Sequence, residues 1–394
     1  MAKRVLQLGG GVLMVRSIKK IQELGYEVFC VDMNPDAPAF AFANGSAAVN
    51  ISDVEGVGRY ADEINADVVL ALNDAGVLPA VFANKKRGLK CYDPEQVKYF
   101  TDKGEMRQRW KDAGVQQPKF FICTNADEIR NAVKDIGYPC IVKPCMMWGS
   151  RGVSKVNNEN DIPFATTFAM ENAKGNRYIV EEFMDGVEVS IEGLFKDGKA
   201  FILAKADKEL QRHDNYRVTV QINYGANLPQ PVLDEVDALV ASAGKAMGFE
   251  AGALHAECMV TSEGVKMIEM AGRPGGGHIF GAIVEEVSGV SMPQALTQIL
   301  LGENIDPSAK YERGACYKFF NAPEGVFQSV SGLEEAKLLP GVVDIGFTMT
   351  KGTLVKTMDH GANRPGFVVA GGANRNEAIA NAERAFNSLT FQMS

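Results

Sequence analysis

No stretch of this sequence approaches the roughly 20 consecutive apolar residues that a membrane-crossing helix needs. Nor is there an excess of basic charge: 41 Lys and Arg stand against 49 Asp and Glu, a net charge of −8. That balance argues against a dedicated nucleic-acid or acidic-membrane binder, while leaving room for a local basic pocket that holds phosphates. Cysteine pairs are missing too. The seven cysteines are odd in number and show no paired spacing. Cys30, Cys123, Cys140, Cys145 and Cys258 lie in or beside apolar runs, where cysteine acts as a small hydrophobe. Reduced thiols, a cytoplasmic location, no disulfide framework and no zinc site are the expectation. Met1 to Leu8 lacks the order of a signal peptide. Internal repeats and low-complexity linkers are absent. What is present is 394 residues, 46% hydrophobic and 23% charged, which excludes a disordered chain and suggests about two to four closely packed domains.

Strand and helix patterns alternate at the start. Residues 4–8 read as a buried strand, followed by Gly9-Gly10-Gly11 and a helical pattern through Ile18, Ile21 and Leu24 that stops at Gly25. A second strand, 26–32, ends in Asp32, and a third spans Val68 to Leu72. This predicts a parallel α/β sheet over about the first hundred residues. The pattern then becomes mixed. A capped helix is expected over 101–114, strands over 118–122 and 138–143 around a helix at 126–136, and strands at 177–183, 187–195 and 200–206. The polar segment 207–227 reads as a long loop. A helix at 232–247, strands near 252–260 and 265–271, strands near 315–320, 341–347 and 353–358, and a last helix at 375–388 complete an α+β region.

Four groups of residues could carry chemistry. A glycine turn at a helix N-terminus can approach a phosphate, and Asp32 adds to the look of a dinucleotide site. The fingerprint is incomplete, because its third glycine falls on Met14, and a plain tight turn explains the same residues. Next, Lys143 ends an apolar strand, and the small-residue turn Gly149-Ser150-Arg151-Gly152-Val153 follows six residues on. A glycine loop with backbone donors beside a lysine suits a triphosphate. A β-hairpin whose lysine reaches solvent is the alternative. In Tyr178 to Glu188, an apolar strand runs into Glu181, Glu182, Phe183 and Met184, then a turn and Glu188. A strand end with backbone donors, acceptors and a carboxylate can read adenine, and a later carboxylate can accept from ribose. Surface acids around a turn would look the same.

The run from Leu254 to Met270 is the most informative. A hairpin with the three-residue loop Ser262-Glu263-Gly264, closed at Thr261 and Val265, places Glu257 directly opposite Glu269. Like charges so placed repel. A divalent cation between them removes the conflict, and Mg²⁺ typically takes one or two protein carboxylates plus phosphate oxygens. Both acids could instead point to water, but Cys258, Met259, Met267, Ile268 and Met270 favour a buried sheet. Arg273, four residues beyond Glu269, can hold a phosphoryl group or carboxylate, or form a structural ion pair.

Taken in order, Lys103, Lys143, the 149–153 loop, Glu181 to Met184, Glu188, Glu257, Glu269 and Arg273 resemble the ATP-grasp superfamily, over nearly the whole chain. Residues 1–100 resemble the preATP-grasp domain of its biotin carboxylase and purine-biosynthesis branches, and Gly361 to Phe367 with the helix after Gly371-Gly372 resemble their C-terminal domain. The resemblance implies a fold of α/β and α+β parts. These are a Rossmann-like domain over 1–100, an ATP-grasp domain over 101–310 with a lid at about 115–186, and a C-terminal α+β domain over 311–394. It implies ATP and Mg²⁺ as cofactors, with Mn²⁺ as an alternative ion. Lys103 and Lys143 would contact phosphates or adenine, and Ser150, Arg151, Gly152 and Val153 would close over the phosphates. Glu181, Glu182, Phe183 and Met184 would meet the base, Glu188 the ribose, and His213 the phosphates. Glu257 and Glu269 would bind the metal, and Lys143 and Arg273 would act on the transferring phosphoryl group. Many members carry Asn two residues after the second metal glutamate. Ala271 stands there, as in some amino-acid ligases of the family, which leaves the number of metal ions open. The implied activity is ATP-dependent, ADP-forming ligation of a small carboxylate to an amine, through an acyl phosphate. A carboxylase or formyl-transfer relative, a non-catalytic ATP-binding regulator, and an NAD-dependent oxidoreductase are the alternatives. The implied partners are small molecules and a second copy in a homodimer, with neither nucleic acid nor membrane.

Overall fold

The computed structural model describes residues 2–147, 151–212, 217–320, 323–355 and 364–394. Strands β1 (Arg4–Leu8), β2 (Glu27–Asp32), β3 (Gly45–Ala48) and β4 (Val68–Ala71) form a parallel sheet in the order β3-β2-β1-β4. Strands β1, β2 and β4 are short, largely apolar and buried, as parallel strands in a core are, while β3 is a half-exposed edge. The Asp32 carboxylate at the end of β2 is used by the glycine turn itself: it accepts from the Gly10 N–H at 2.8 Å and the Asn34 N–H at 2.9 Å.

A second, antiparallel sheet has the order β5-β8-β6-β7, from β5 (Phe120–Cys123), β6 (Cys140–Pro144), β7 (Ser154–Val156) and β8 (Tyr178–Glu182). It packs on the helices Ala126–Ile136 and Ile162–Asn172 around its own core, which includes Ile129, Val133, Val142, Ala165 and Val180. The helix Lys103–Asp112 leads into this sheet. Its N-cap Asp102 accepts from the Gly104 N–H at 2.8 Å and the Glu105 N–H at 3.1 Å.

The largest sheet contains β9 (Val187–Lys196), β10 (Lys199–Arg212), β11 (Arg217–Tyr224), β12 (Gly252–Thr261), β13 (Gly264–Ala271) and β14 (Gly314–Phe319). Further along the chain lie β15 (Gly325–Ser331), β16 (Val342–Phe347), β17 (Leu354–Val355), β18 (Gly366–Gly372) and β19 (Thr390–Met393). Eight of these run antiparallel in the order β13-β12-β9-β10-β11-β14-β18-β16, while β17-β15-β19 form a small separate sheet. Among the described residues no helix is long and apolar enough to cross a membrane. All seven cysteines are buried free thiols.

Two expectations need correction. The segment 207–227 is not a loop: β10 runs on to Arg212 and β11 pairs with it from Arg217. Polar side chains disguised these strands, and several of them have partners: Asp207 binds Arg375, Lys208 binds Glu188, and Gln221 joins Asn223 to Lys318. The hairpin before Gly264 is also tighter than expected. Thr261 pairs with Gly264 across the two-residue turn Ser262-Glu263, and Gly264 takes φ +109°. That register alone would set Glu257 against Ile268. A β-bulge in β13 restores the count, and Glu257 does face Glu269.

Candidate functional site

Strand periodicity assembles the site on one face of the large sheet. Glu188, Ser190 and Glu192 share that face of β9, and His255 and Glu257 on β12 pair with Glu192 and Ser190. Glu269 lies across from Glu257. Each of the opposed acids is met by a lysine. The Lys103 ammonium is 3.2 Å from Glu269 and donates to the Met147 carbonyl at 2.8 Å. The Lys208 ammonium bonds Glu188 at 2.5 Å and also Glu257. Burial opposes the charge on Lys208, but attraction to Glu257 and Glu188 outweighs it and raises its pKa.

Behind this pair lies a charge-assisted chain. His255 Nδ1 is 2.6 Å from Glu192 Oε1, and its Nε2 is 3.6 Å from Glu257. Burial works against protonation of His255, yet the two carboxylates raise its pKa to about 9. Glu192, at 0% exposure, spends its other oxygen on the Gly275 N–H at 2.9 Å. A Cβ at position 275 would stand 2.4 Å from Glu192 Oε1, so only glycine allows this approach. The contact ties the turn after Arg273 to β9.

A second cluster joins the two antiparallel sheets. Glu181, 3% exposed, is bonded on both oxygens, to Arg107 Nε at 2.7 Å and to the Lys143 ammonium at 2.6 Å. Burial would raise the Glu181 pKa, but the two cations hold it at about 2. Burial lowers the Lys143 pKa while attraction to Glu181 opposes that shift. Arg107 also donates to the carbonyl of Ile268, the extra residue of the bulge, at 2.8 Å. One arginine thus links the strand end at Glu181 to the strand that carries Glu269.

The expected site residues divide as follows. Lys103, Glu188, Glu257 and Glu269 come together, and Lys143 and Glu181 form the adjoining cluster. Each oxygen of Glu181 is already bonded to a cation. Glu182 turns toward Lys119 and Lys266, 3.3 Å from the Lys119 N–H and 3.7 Å from the Lys266 ammonium. Beyond β8, Phe183 lies under the Lys155 ammonium at 4.1 Å, and Met184 is half-buried. In the loop, Arg151 is exposed, Val153 is half-buried and Gly152 takes φ +73°. Ser150 and His213 lie outside the described residues. Arg273 is clasped by Asp74, Nε to Oδ1 at 3.0 Å and Nη2 to Oδ2 at 2.9 Å.

Sequence reasoning missed Lys208, His255, Glu192, Arg107 and Asp74. Three had a readable signal. His255 is two before Glu257 and Glu192 four after Glu188, which keeps each on its neighbour's strand face; Arg107 is four after Lys103 on one helix face. Lys208 was hidden in the segment read as loop. Asp74 meets Arg273 across 199 residues of chain, and no local pattern shows that.

The donor set fits a hard divalent cation in one respect and limits it in another. Two carboxylates face each other, which suits such an ion. Among the described residues no group of three or more His, Cys, Asp or Glu could hold a metal, so any ion on these two acids would take the rest of its shell from water or phosphate oxygens.

Comparison with known proteins follows this geometry. Residues 136–281 match the ATP-grasp domain family, and residues 318–394 match the L-amino acid ligase C-terminal domain 2. The formate-dependent phosphoribosylglycinamide formyltransferase of Geobacter metallireducens is 32% identical over 187 residues, covering 46% of this chain and 48% of that protein. The chain thus spans about half the length of that relative. The Anaeromyxobacter dehalogenans protein of the same description is 24% identical over 347 residues, covering 86% of this chain and 88% of its own. Among solved structures, the L-amino acid ligase from Bacillus licheniformis superposes with a TM-score of 0.83 at 20% identity, covering 100% of this chain and 99% of that one. Phosphoribosylglycinamide synthetase from Anaerococcus prevotii gives 0.78 at 19% identity, with 100% of both chains covered. The chain thus carries an ATP-grasp domain at residues 136–281 and an L-amino acid ligase C-terminal domain at residues 318–394.

Proposed function

We propose that this chain is an ATP-dependent ligase that activates a small carboxylate as an acyl phosphate and passes it to an amine, releasing ADP and phosphate. The observation that carries the reading is the face on which Lys103, Glu188, Glu257 and Glu269 converge beside the Lys143–Glu181 cluster. Lys143 and Lys103 supply positive charge for phosphates. Glu188 accepts from ribose hydroxyls, and the Phe183 and Met184 backbone beyond β8 faces the base. Glu257 and Glu269 would hold Mg²⁺, which neutralises phosphate charge as the γ-phosphoryl group leaves. The substrate carboxylate oxygen attacks that group, ADP departs, and the amine then displaces phosphate from the acyl carbon. No protein nucleophile is needed; the residues orient the reactants and stabilise charge. Arg273 is fixed by Asp74 and by its Nη1 bond to the Pro274 carbonyl at 2.9 Å, and its positive charge beside the strand that carries Glu269 would stabilise the transferring group.

The choice of carboxylate rests on two different likenesses. The C-terminal match and the Bacillus licheniformis structure favour an amino acid. The relatives described as formate-dependent favour formate as the carboxylate, with formyl transfer as the second reading. Purified protein with Mg-ATP is screened for ADP release against amino acids and formate, with amino acids and hydroxylamine as amines. ADP release that requires both an amino acid and an amine supports the main reading. Release with formate alone among the carboxylates moves the assignment to formyl transfer. No carboxylate-dependent ADP from any combination overturns the ligase reading.

A further inference from the structure

Lys208 bonds two of the site's acids. Its ammonium donates to Glu188 Oε1 at 2.5 Å and to Glu257 Oε1, and its side chain is only 10% exposed. These acids sit on adjacent strands but are not cross-strand partners: Glu257 pairs with Ser190, and Glu188 with Met259. The lysine bridges the diagonal between them from β10. Glu257 Oε1 is already shared, because His255 Nε2 lies 3.6 Å away. A divalent ion on that oxygen would therefore meet an ammonium within a few ångströms in a half-buried setting. There the repulsion of like charges is several times what it is in open water. Metal and ammonium therefore compete for Glu257.

We propose that Lys208 is the resident counter-ion of the divalent-cation site, released from Glu257 when the metal ion enters. The inference rests on the reading that assigns Glu257 to the metal and Glu188 to ribose. Under that reading both acids held by Lys208 are claimed by Mg-ATP. Nucleotide binding then frees an ammonium inside the phosphate pocket, where it adds to Lys103 and Lys143. In the metal-free protein the same lysine keeps the acids from repelling one another and holds them on one face.

The test uses Mn²⁺ as a paramagnetic probe, titrated into nucleotide-free protein and followed by electron paramagnetic resonance. Lys208→Met removes the competing charge and is expected to tighten Mn²⁺ binding on the order of tenfold. Lys208→Arg keeps the charge and should stay near the parent, and Glu257→Gln should abolish the binding that Lys208→Met gains. Equal or weaker Mn²⁺ binding in Lys208→Met overturns the proposal. If that variant does not fold, Lys208→Met with Glu188→Gln restores the charge balance, and it too must bind Mn²⁺ more tightly than the parent. ADP release is scored separately. A parent that gains Mn²⁺ affinity on losing Lys208 but releases no ADP would sink the ligase reading and leave the counter-ion role standing.

Discussion

Glu181 shows how one buried side chain can serve stability and site geometry together. Its carboxylate is ion-paired to Arg107 and Lys143, and its pKa is held at about 2. A depressed carboxylate contributes stability that is fully present above the unfolded pKa, near 4.5, and is lost as pH falls through about 2. The contribution is about 3 kcal/mol. Urea unfolding between pH 6 and pH 2 should show it as a steep acid limb. Glu181→Gln should start lower at pH 6 and have a shallower limb. An unchanged slope in the variant would mean that other groups govern acid stability. Because Lys143 loses its partner in the same variant, turnover should fall as well.

Opposed acids on β12 and β13 make the corresponding case for a structural element. Cross-strand repulsion between Glu257 and Glu269 would destabilise a bare hairpin. Here Lys103 and Lys208 cancel that charge. Glu269→Gln should therefore leave the metal-free protein within about 0.5 kcal/mol of the parent, since a part-exposed ion pair is worth little. The same variant should lose most of the melting-temperature rise given by Mg-ATP. Thermal unfolding with and without Mg-ATP checks both expectations; a large loss of metal-free stability would identify Glu269 as structural. The facing of these acids was legible in the sequence, but through two departures that cancel. The real turn is one residue shorter than expected, and the bulge at Ile268 adds one back. Bulges leave no pattern in spacing. This one is fixed by Arg107, whose bond to the Ile268 carbonyl comes from a helix more than 150 residues earlier.

Across the whole molecule, what could be read depended on where partners lie. Apolar runs marked β1, β2, β6 and β8 because such strands bury both faces or one face continuously. The end of β10 and all of β11 were invisible because several of their polar residues are paired by Glu188, Glu257, Arg375 and Lys318, which lie outside the segment. Asp32 bears out the plain-turn alternative. It sits where a ribose-binding acid would, but the Gly10 and Asn34 N–H groups consume it. The site is thus a product of the eight-stranded sheet meeting the small antiparallel sheet, with Arg107 and Lys103 from one helix reaching both.

The central claim is that ATP is spent on a carboxylate oxygen. With the carboxylate that gives ADP release, labelled with ¹⁸O in the carboxyl group, an acyl phosphate route moves one labelled oxygen into the phosphate released on amide formation. Mass spectrometry of that phosphate should show one ¹⁸O per turnover. Unlabelled phosphate alongside amide product would contradict the mechanism, because the carboxylate would then have been joined without first being phosphorylated.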